Sequence, residues 1–301
     1  MSIMNSISKV FERLMYRRLY EHLRKNNILH FRQFGFQKYK TTEEAVLTFL
    51  NDVLYSMENN EIPIGLCYDM SRAFDSVNSS ILLDKLKLYG VTEPQHIKWF
   101  SSYLDNRPWY FSYQNSDKET YVSDVKYCDV GVPQGSILGP LLFIIYINNI
   151  FDSVEDLKTK MSVYADDSNC VTSVKEETQV VEAVRKCNFK FGSWTQQHGI
   201  KNNENKMAIL IFQRMKSRIP PEIQDRITNS ARLLGITVDS KLTFQDHVDN
   251  IASKLSSGIF CLYSIRSWAG IDLLKSIYFA LIQSHLIYCI NVWGPFLTEC
   301  R

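Results

Sequence analysis

An α+β fold follows from three observations on the sequence. Apolar residues recur at helical spacing near both ends, over residues 7–25 and again from Phe244 onward. Short runs of β-branched, aromatic and apolar residues lie between them, at 63–68, 161–174, 207–212 and 232–238. Two of the patterns, 108–114 with 121–130 and the two halves of 161–174, read as hairpins, which makes the central sheet antiparallel. The chain has 301 residues, 45% hydrophobic and 22% charged, enough for a substantial core and unlike a disordered chain. No internal repeat, low-complexity tract or long flexible linker interrupts it.

The elements follow in order. Ile7, Val10, Phe11, Leu14, Leu19 and Leu23 keep helical register through 7–25, with Arg and Lys between them. Thr41-x-x-Glu44 forms a capping box, in which each side chain satisfies the other residue's backbone donor. The helix it opens runs through Val46, Phe49, Leu50, Val53 and Leu54. Pro63 to Tyr68 reads as a short buried strand delivering Asp69. Helices are predicted at 79–89, ended by Gly90, and at 94–104, opened by Pro94 where no N–H is needed. After the 108–130 hairpin, Gly131 to Ser136 form a loop and Leu141 to Ile150 an apolar helix.

Met161 to Val174 reads as strand, tight turn, strand. A helix at 176–197 places Val180, Val184, Cys187, Phe191 and Trp194 on one face, with Gly199 beyond its end. Met207–Phe212 and Arg232–Val238 are predicted strands. Val248, Ile251, Leu255, Ile259 and Leu262 then step helically toward the C-terminus. The apolar stretch Ile277–Val292 is broken by Gln283, Ser284 and His285 and reads as a buried amphipathic helix. A membrane span takes about 20 predominantly apolar residues, so no membrane partner is expected.

A formal charge of +2 is too small to point to any partner, but its distribution is uneven. The first forty residues carry nine Lys or Arg against Glu12 and Glu21. Such an end either lines a phosphate backbone, releasing condensed counterions, or forms a solvated helix face. The seven cysteines are scattered without a Cys-x-x-Cys pair, and no histidines have zinc-ligand spacing. That cysteine usage and the lack of a signal peptide predict an intracellular protein, nuclear or cytoplasmic and not secreted.

Two acidic segments carry the chemistry: Asp69-Met70-Ser71-Arg72-Ala73-Phe74-Asp75 after one strand, and Tyr164-Ala165-Asp166-Asp167 at a hairpin turn. Side by side in one sheet, Asp69, Asp166 and Asp167 would meet at one rim, with the backbone carbonyl of Met70 a further oxygen. Divalent cations held there activate an attacking hydroxyl and stabilise a leaving pyrophosphate, the chemistry of a nucleotide polymerase. Taken alone, an Asp pair between strands is equally a solvated turn.

The resemblance becomes specific when the segments are taken together. Asp69-x-x-x-Ala73-Phe74-Asp75-x-Val77, Gly131-Val132-Pro133-Gln134-Gly135-Ser136-Ile137-Leu138-Gly139-Pro140 and Tyr164-Ala165-Asp166-Asp167 resemble polymerase motifs A, B and C of non-LTR (LINE-type) retrotransposon reverse transcriptases. Ile7 to Arg13 and Gln33-Phe34-Gly35-Phe36 resemble that branch's fingers segments. Asn203-x-x-Lys206 resembles its motif D, and Leu233-Leu234-Gly235-Ile236 its primer-grip strand. Phe244–Lys254 and Ile287–Gly294 resemble its thumb, so the likeness covers nearly the whole chain.

The resemblance implies a right-hand polymerase, with partial fingers and palm over 1–240 and a helical thumb over 241–301. It implies RNA-directed DNA synthesis from an RNA template, a DNA primer and deoxynucleoside triphosphates. Asp69, Asp166 and Asp167 would hold two Mg²⁺ ions, with Mn²⁺ as the substitute. Phe74 would lie beneath the incoming sugar and exclude a 2′-hydroxyl, or else be a core aromatic. Gln134 and Gly135 would touch template and nucleotide. Lys206 would be the general acid for pyrophosphate, or a surface lysine. Leu234 and Gly235 would brace the primer end, or serve packing alone. Two departures accompany the match: Gln37 stands where the family commonly has a basic residue, and Met1 falls inside the family's fingers. The rivals are therefore an RNA-dependent RNA polymerase, which shares the palm, and a truncated, inactive remnant that only binds nucleic acid.

Overall fold

The computed structural model describes residues 5–116, 118–155, 157–203, 207–212 and 221–299. Helix α1 (Ser6–Lys25) starts at Asn5, whose side chain accepts from the Ile7 amide at 2.9 Å. It buries Glu12, Leu19, Tyr20 and Leu23, whereas Ile7, Val10, Phe11 and Leu14 of the same apolar stripe stay exposed. Helix α2 (Thr42–Glu58) is opened by the expected capping box. Thr41 Oγ1 accepts from the Glu44 amide at 3.1 Å and Glu44 Oε2 from the Thr41 amide at 2.9 Å. Strand β1 (Ile62–Ser71) is longer than predicted and carries Asp69 within it.

Helix α3 (Ser79–Leu88), capped by Asn78, ends at Gly90, whose φ of 88° lies in the left-handed region that favours glycine. Helix α4 (Pro94–Leu104) leads to a ribbon of β2 (Arg107–Trp109), β3 (Ser112–Gln114), β4 (Thr120–Val122) and β5 (Lys126–Cys128). In it β2 pairs with β5 and β3 with β4, both antiparallel. Next come α5 (Gly139–Tyr146), β6 (Thr159–Tyr164), β7 (Asp167–Val174), α6 (Val180–Gln197), β8 (Lys201–Asn202) and β9 (Ala208–Ile211). Helix α7 (Pro221–Gln224), strands β10 (Ser230–Leu233) and β11 (Ile236–Asp239), and helices α8 (Gln245–Ile265), α9 (Ile271–Tyr278), α10 (Ser284–Ile287) and α11 (Ile290–Trp293) complete the order. The main sheet runs β6-β7-β1-β8, with β9 also on β1. Strand β1 is antiparallel to both of its C-terminal partners, Met70 opposite Asn202 and Gly65 opposite Leu210.

The chain divides into two compact units that interleave in sequence. The first comprises the described residues of 1–39, 68–168 and 186–206. Its centre is α5, apolar on every side and buried from Leu141 to Tyr146, as a helix without a polar face must be. Leu82, Leu86, Phe100, Leu104 and Phe191 are buried with it, and Tyr68 stacks on Phe191 with ring centroids 3.9 Å apart. Fully burying one such side chain contributes about 1.5–3 kcal/mol.

The second unit comprises the described residues of 40–67, 169–185 and 207–301. Its core gathers Phe49, Leu50 and Val53 of α2, Leu210 of β9, Val238 of β11, Phe244, Ile251 and Trp293. Gly65 makes room inside it, since a Cβ there would lie 2.9 Å from the Phe49 ring.

Two expectations are corrected here. Residues 232–238 are not one strand but a hairpin turning at Leu234-Gly235, with φ of 47° and 91°. Positive φ at both central residues is the pattern of the tight turns that match strand twist. Likewise Ile277–Val292 is not a buried helix. A π-helical segment at Phe279–Gln283 and a break at Tyr288–Cys289 divide it. Phe279, Leu281 and Ile287 are exposed. By length and composition alone the helical stretch Ile271–Phe296, mean hydropathy 1.4, would reach across a membrane.

Candidate active site

Strand β1 brings Asp69 to its place among backbone partners. Met70 and Ser71 stand opposite Asn202 and Lys201 of β8, and the Asn203 amide donates to the Asp69 carbonyl at 3.0 Å. Arg72, in left-handed backbone (φ 49°), ends the strand. Its carbonyl accepts from the Asp75 and Ser76 amides at 3.0 and 3.1 Å, closing a 3₁₀ turn over Ala73–Ser76. Extended chain thus becomes a tight turn at Arg72, three residues beyond Asp69. Phe74 and Asp75 lie on that turn.

The second acidic segment is the β6–β7 turn, where Ala165 adopts φ 56° and Asp166 and Asp167 follow. Segment 32–37 packs against it. The Phe34 amide donates to the Val163 carbonyl at 2.7 Å and the Val163 amide to the Arg32 carbonyl at 3.0 Å. Gly35 comes so near that a Cβ would lie 2.4 Å from the Ala165 nitrogen. Gln33, fully buried, accepts from the Gly35 amide at 3.1 Å. The resemblance assigned Gln33–Phe36 to fingers; its contact with the Asp turn had no sequence signal beyond a glycine between two aromatics.

Asp166 and Asp167 are exposed at the turn, yet enough protein surrounds them to weaken their hydration. Desolvation first, and then the charges of Asp166 and Asp69, push the Asp167 carboxyl up to about 6. Desolvation also raises Asp166, with a backbone amide opposing and Asp69 adding to the rise. The three predicted carboxylates are therefore within electrostatic reach of one another. Among the described residues no three His, Cys, Asp or Glu side chains are already gathered as a metal cage. What exists is a trio of like charges with oxygen donors only, a set suited to a hard divalent cation, whose binding would relieve their repulsion.

Phe74 is half-buried. Its ring stacks on Phe143 of α5 at 4.2 Å and 21°, and Phe36 meets it edge-on at 5.9 Å. The loop at 131–136 is fastened to the same turn. The Gly131 amide donates to the Val77 carbonyl at 2.7 Å and the Val132 amide to the Phe74 carbonyl at 2.9 Å. Gly131 takes φ 81° and Gly135 φ 93°, and a Cβ on Gly131 would lie 2.8 Å from the Asp75 Cα. Gln134 and Gly135 are exposed beside that turn, and Gln134 Nε2 donates to Asp75 Oδ1 at 3.1 Å. Beneath the loop, the buried Glu12 carboxylate accepts from the Ile137 amide at 2.6 Å and the Leu138 amide at 3.3 Å. Glu12 and Asp75 lie within the motif segments, but nothing in their local sequence signals these contacts.

Asp69, Met70, Phe74, Gln134, Gly135, Asp166 and Asp167 all fall in the first unit, and Leu234 and Gly235 in the second. Tyr288 Oη donates to the Leu234 carbonyl at 2.6 Å, fixing the hairpin tip in that unit. Lys206 lies outside the described residues.

Comparison with known proteins gives the family. The family model for reverse transcriptase (RNA-dependent DNA polymerase) matches residues 1–238. The chain is 29% identical over 304 residues to the "Probable RNA-directed DNA polymerase from transposon X-element" of Drosophila melanogaster, covering 97% of this chain and 32% of that protein. It is 28% identical over 305 residues to the RNA-directed DNA polymerase from the mobile element jockey of the same species, with the same coverages. The chain thus spans about a third of the length of these curated relatives. Among solved structures, telomerase from Candida tropicalis with a TWJ fragment of telomeric RNA superposes with a TM-score of 0.52 at 14% identity, over 98% of this chain and 48% of that one. That likeness speaks for the right-hand polymerase fold alone. Motif order, acidic rim and family match agree, and the chain belongs to the reverse transcriptase family, on its non-LTR retrotransposon branch.

Proposed function

We propose that this chain performs RNA-templated DNA synthesis, joining deoxynucleoside triphosphates to a primer 3′-hydroxyl with release of pyrophosphate. The observation that carries the reading is that Asp166 and Asp167 share one turn and both feel the charge of Asp69, beside Phe74 and the 131–136 loop. The three carboxylates would hold two Mg²⁺ or Mn²⁺ ions, which supply activation of the attacking hydroxyl and neutralisation of the leaving pyrophosphate. The rest falls to the chain's own residues. A turn braced by segment 32–37 keeps Asp166 and Asp167 in place against their repulsion. The Phe74 ring, held between Phe36 and Phe143, has little freedom to yield to a 2′-hydroxyl and so selects deoxynucleotides. Gln134 and Gly135 contact template and nucleotide, Lys206 protonates pyrophosphate, and Leu234-Gly235 brace the primer end. The Lys and Arg residues between Lys9 and Lys40 grip template–primer phosphates, so affinity falls with added salt.

Primer extension on an RNA template, with deoxynucleotides and Mg²⁺ or Mn²⁺, tests the reading. Asp166→Ala is expected to cut synthesis by about a thousandfold or more, the worth of several kcal/mol of transition-state stabilisation. Synthesis surviving Asp166→Ala would remove these carboxylates from the chemistry. Salt-sensitive template–primer binding without any synthesis would instead favour the binding-only remnant. Phe74→Val is expected to raise ribonucleotide incorporation about tenfold, because a steric clash is removed. Unchanged discrimination returns that ring to the core.

A further inference from the structure

We propose that Glu12 is a positioning residue for the incoming nucleotide. Its buried carboxylate, bonded to the Ile137 and Leu138 amides, sets where the turn at 133–136 presents Gln134 and Gly135. The proposal rests on the polymerase reading for what that turn touches, and on geometry for the rest. Glu12 reverses the usual pattern of a surface helix. Between residues 6 and 18 it is the one buried residue of α1, 1% exposed, whereas its apolar neighbours Ile7, Val10, Phe11 and Leu14 are exposed. Local patterning is broken in this way chiefly at functional or strained sites. A carboxylate taken out of water is costly unless charge-assisted hydrogen bonds replace its hydration. Glu12 Oε2 finds them at 2.6 and 3.3 Å, on the two amides just ahead of α5. Leu138, which opens that helix, has no side-chain cap of its own, and negative charge there complements the positive helix end.

The hold passes directly to the turn. The Ser136 amide donates to the Pro133 carbonyl at 3.2 Å and Gly135 takes φ 93°, which closes a tight turn with Gln134 and Gly135 at its tip. Ser136 Oγ donates to the same carbonyl at 2.7 Å and accepts from the Gly139 amide at 2.9 Å, so residues 133–139 move as one piece. A Cβ on Gly139 would lie 2.5 Å from that hydroxyl oxygen, which leaves the piece no slack. Tyr103 of α4 closes the cluster from another side. Burial first pushes its hydroxyl up to about 12; the neighbouring Ser136 hydroxyl opposes the rise, the Glu12 charge adds to it and the Arg107 charge opposes it. The phenol therefore keeps its proton beside the carboxylate. Shortening Glu12 would let the turn tilt away from the nucleotide without removing any group that touches the reacting atoms.

Two measurements on the 301-residue chain decide it. The first follows deuterium exchange of the peptide spanning 131–139 by mass spectrometry. Glu12→Asp keeps the charge but is one methylene shorter and lets go of the two amides, so exchange there is expected to quicken about tenfold. Glu12→Gln keeps the reach and an accepting oxygen, and should stay within about threefold of the parent. Unmoved exchange in Glu12→Asp overturns the proposal whether or not the chain makes DNA. The second measurement needs no chemistry. An RNA template with a dideoxy-terminated DNA primer is titrated with the next complementary deoxynucleotide in Mg²⁺, followed by the fluorescence of a labelled primer end. Glu12→Asp is expected to raise the midpoint about tenfold, and Glu12→Gln to restore most of the loss. A chain that is merely destabilised would lose amplitude and keep its midpoint, so an unchanged midpoint overturns the proposal even where exchange quickens. A parent that binds the nucleotide but makes no DNA would sink the synthesis reading and leave this comparison standing. A parent that binds no nucleotide at all would overturn both.

Discussion

Two β-hairpin turns differ in what surrounds them, and the difference shows where this chain stores rigidity. At the β6–β7 turn, Val163, Ala165 and Ser168 are buried, and segment 32–37 is hydrogen-bonded along one side. In the ribbon from β2 to β5, Trp109, Tyr110, Phe111, Tyr113, Tyr121 and Tyr127 are all exposed. Both have antiparallel pairing and aromatic, β-branched sequences. An isolated two-stranded hairpin is marginal in water, so pairing alone does not hold a carboxylate steady. The acidic pair sits on the hairpin that has a neighbour fitted against its backbone.

The largest effect should come from breaking that fit. Gly35→Ala would drive a methyl group to 2.4 Å from the Ala165 nitrogen, against backbone that has no rotamer to change. Overpacking of this kind costs about 3 kcal/mol, and the Asp turn should shift with it. Thermal unfolding and primer extension should both report the loss. A variant of wild-type stability and activity would mean that the turn does not depend on its neighbour. Glu12→Ala should rank second. It leaves the Ile137 and Leu138 amides without their acceptor at the start of α5, a loss of about 2 kcal/mol in denaturant unfolding. Unfolding at the wild-type midpoint would show that water replaces the carboxylate.

Much of the packed side was readable from sequence because its signals are local. The Thr41–Glu44 box, the Pro94 helix start and the strand–turn–strand at 161–174 each state their structure within a few residues. The motif residues Asp69, Phe74, Gln134, Asp166 and Asp167 were readable as a set through their order. Contacts between distant segments were not. Nothing near Gly35 names Ala165, and nothing near Asp75 names Gln134. Periodicity shows that a face is apolar but not whether anything covers it. Hence α1 buries Leu19 and Leu23 but exposes Ile7 and Phe11, and the C-terminal stretch expected to be buried is largely exposed. The turn at Leu234-Gly235 was not legible for a smaller reason, since a two-residue turn inside an apolar run looks like continuous strand.

The exposed ribbon offers the opposite test. Trp109→Ser or Phe111→Ser removes an exposed side chain from a ring pair whose centroids lie 5.3 Å apart. Stability should change by no more than about 0.5 kcal/mol in denaturant unfolding. A loss several times larger would mean that the ribbon is as firmly embedded as the Asp turn, and the contrast between the hairpins would disappear.

The smallest effect concerns charge on the packed turn. Asp167 has a folded-state pKa of about 6, above its ordinary unfolded value near 4. Between those pH values the folded chain binds more protons than the unfolded one, so this group's contribution to stability declines as pH rises from about 4 to about 6. Above that range its ionised form works against folding. Asp167→Asn removes the charge, and in chelator-treated protein it should raise Tm slightly at pH 7–8 but not at pH 4. Asp167 is exposed, and solvent screening limits the gain to a few tenths of a kcal/mol. Adding Mn²⁺ should stabilise the parent at pH 7 and have much less effect on the variant, because the cation relieves a repulsion the variant no longer has. Thermal scans across pH, with and without the ion, separate the two contributions. A Tm gain equal at pH 4 and pH 8 would assign the effect to packing at the turn, and the strain there would be steric and not electrostatic.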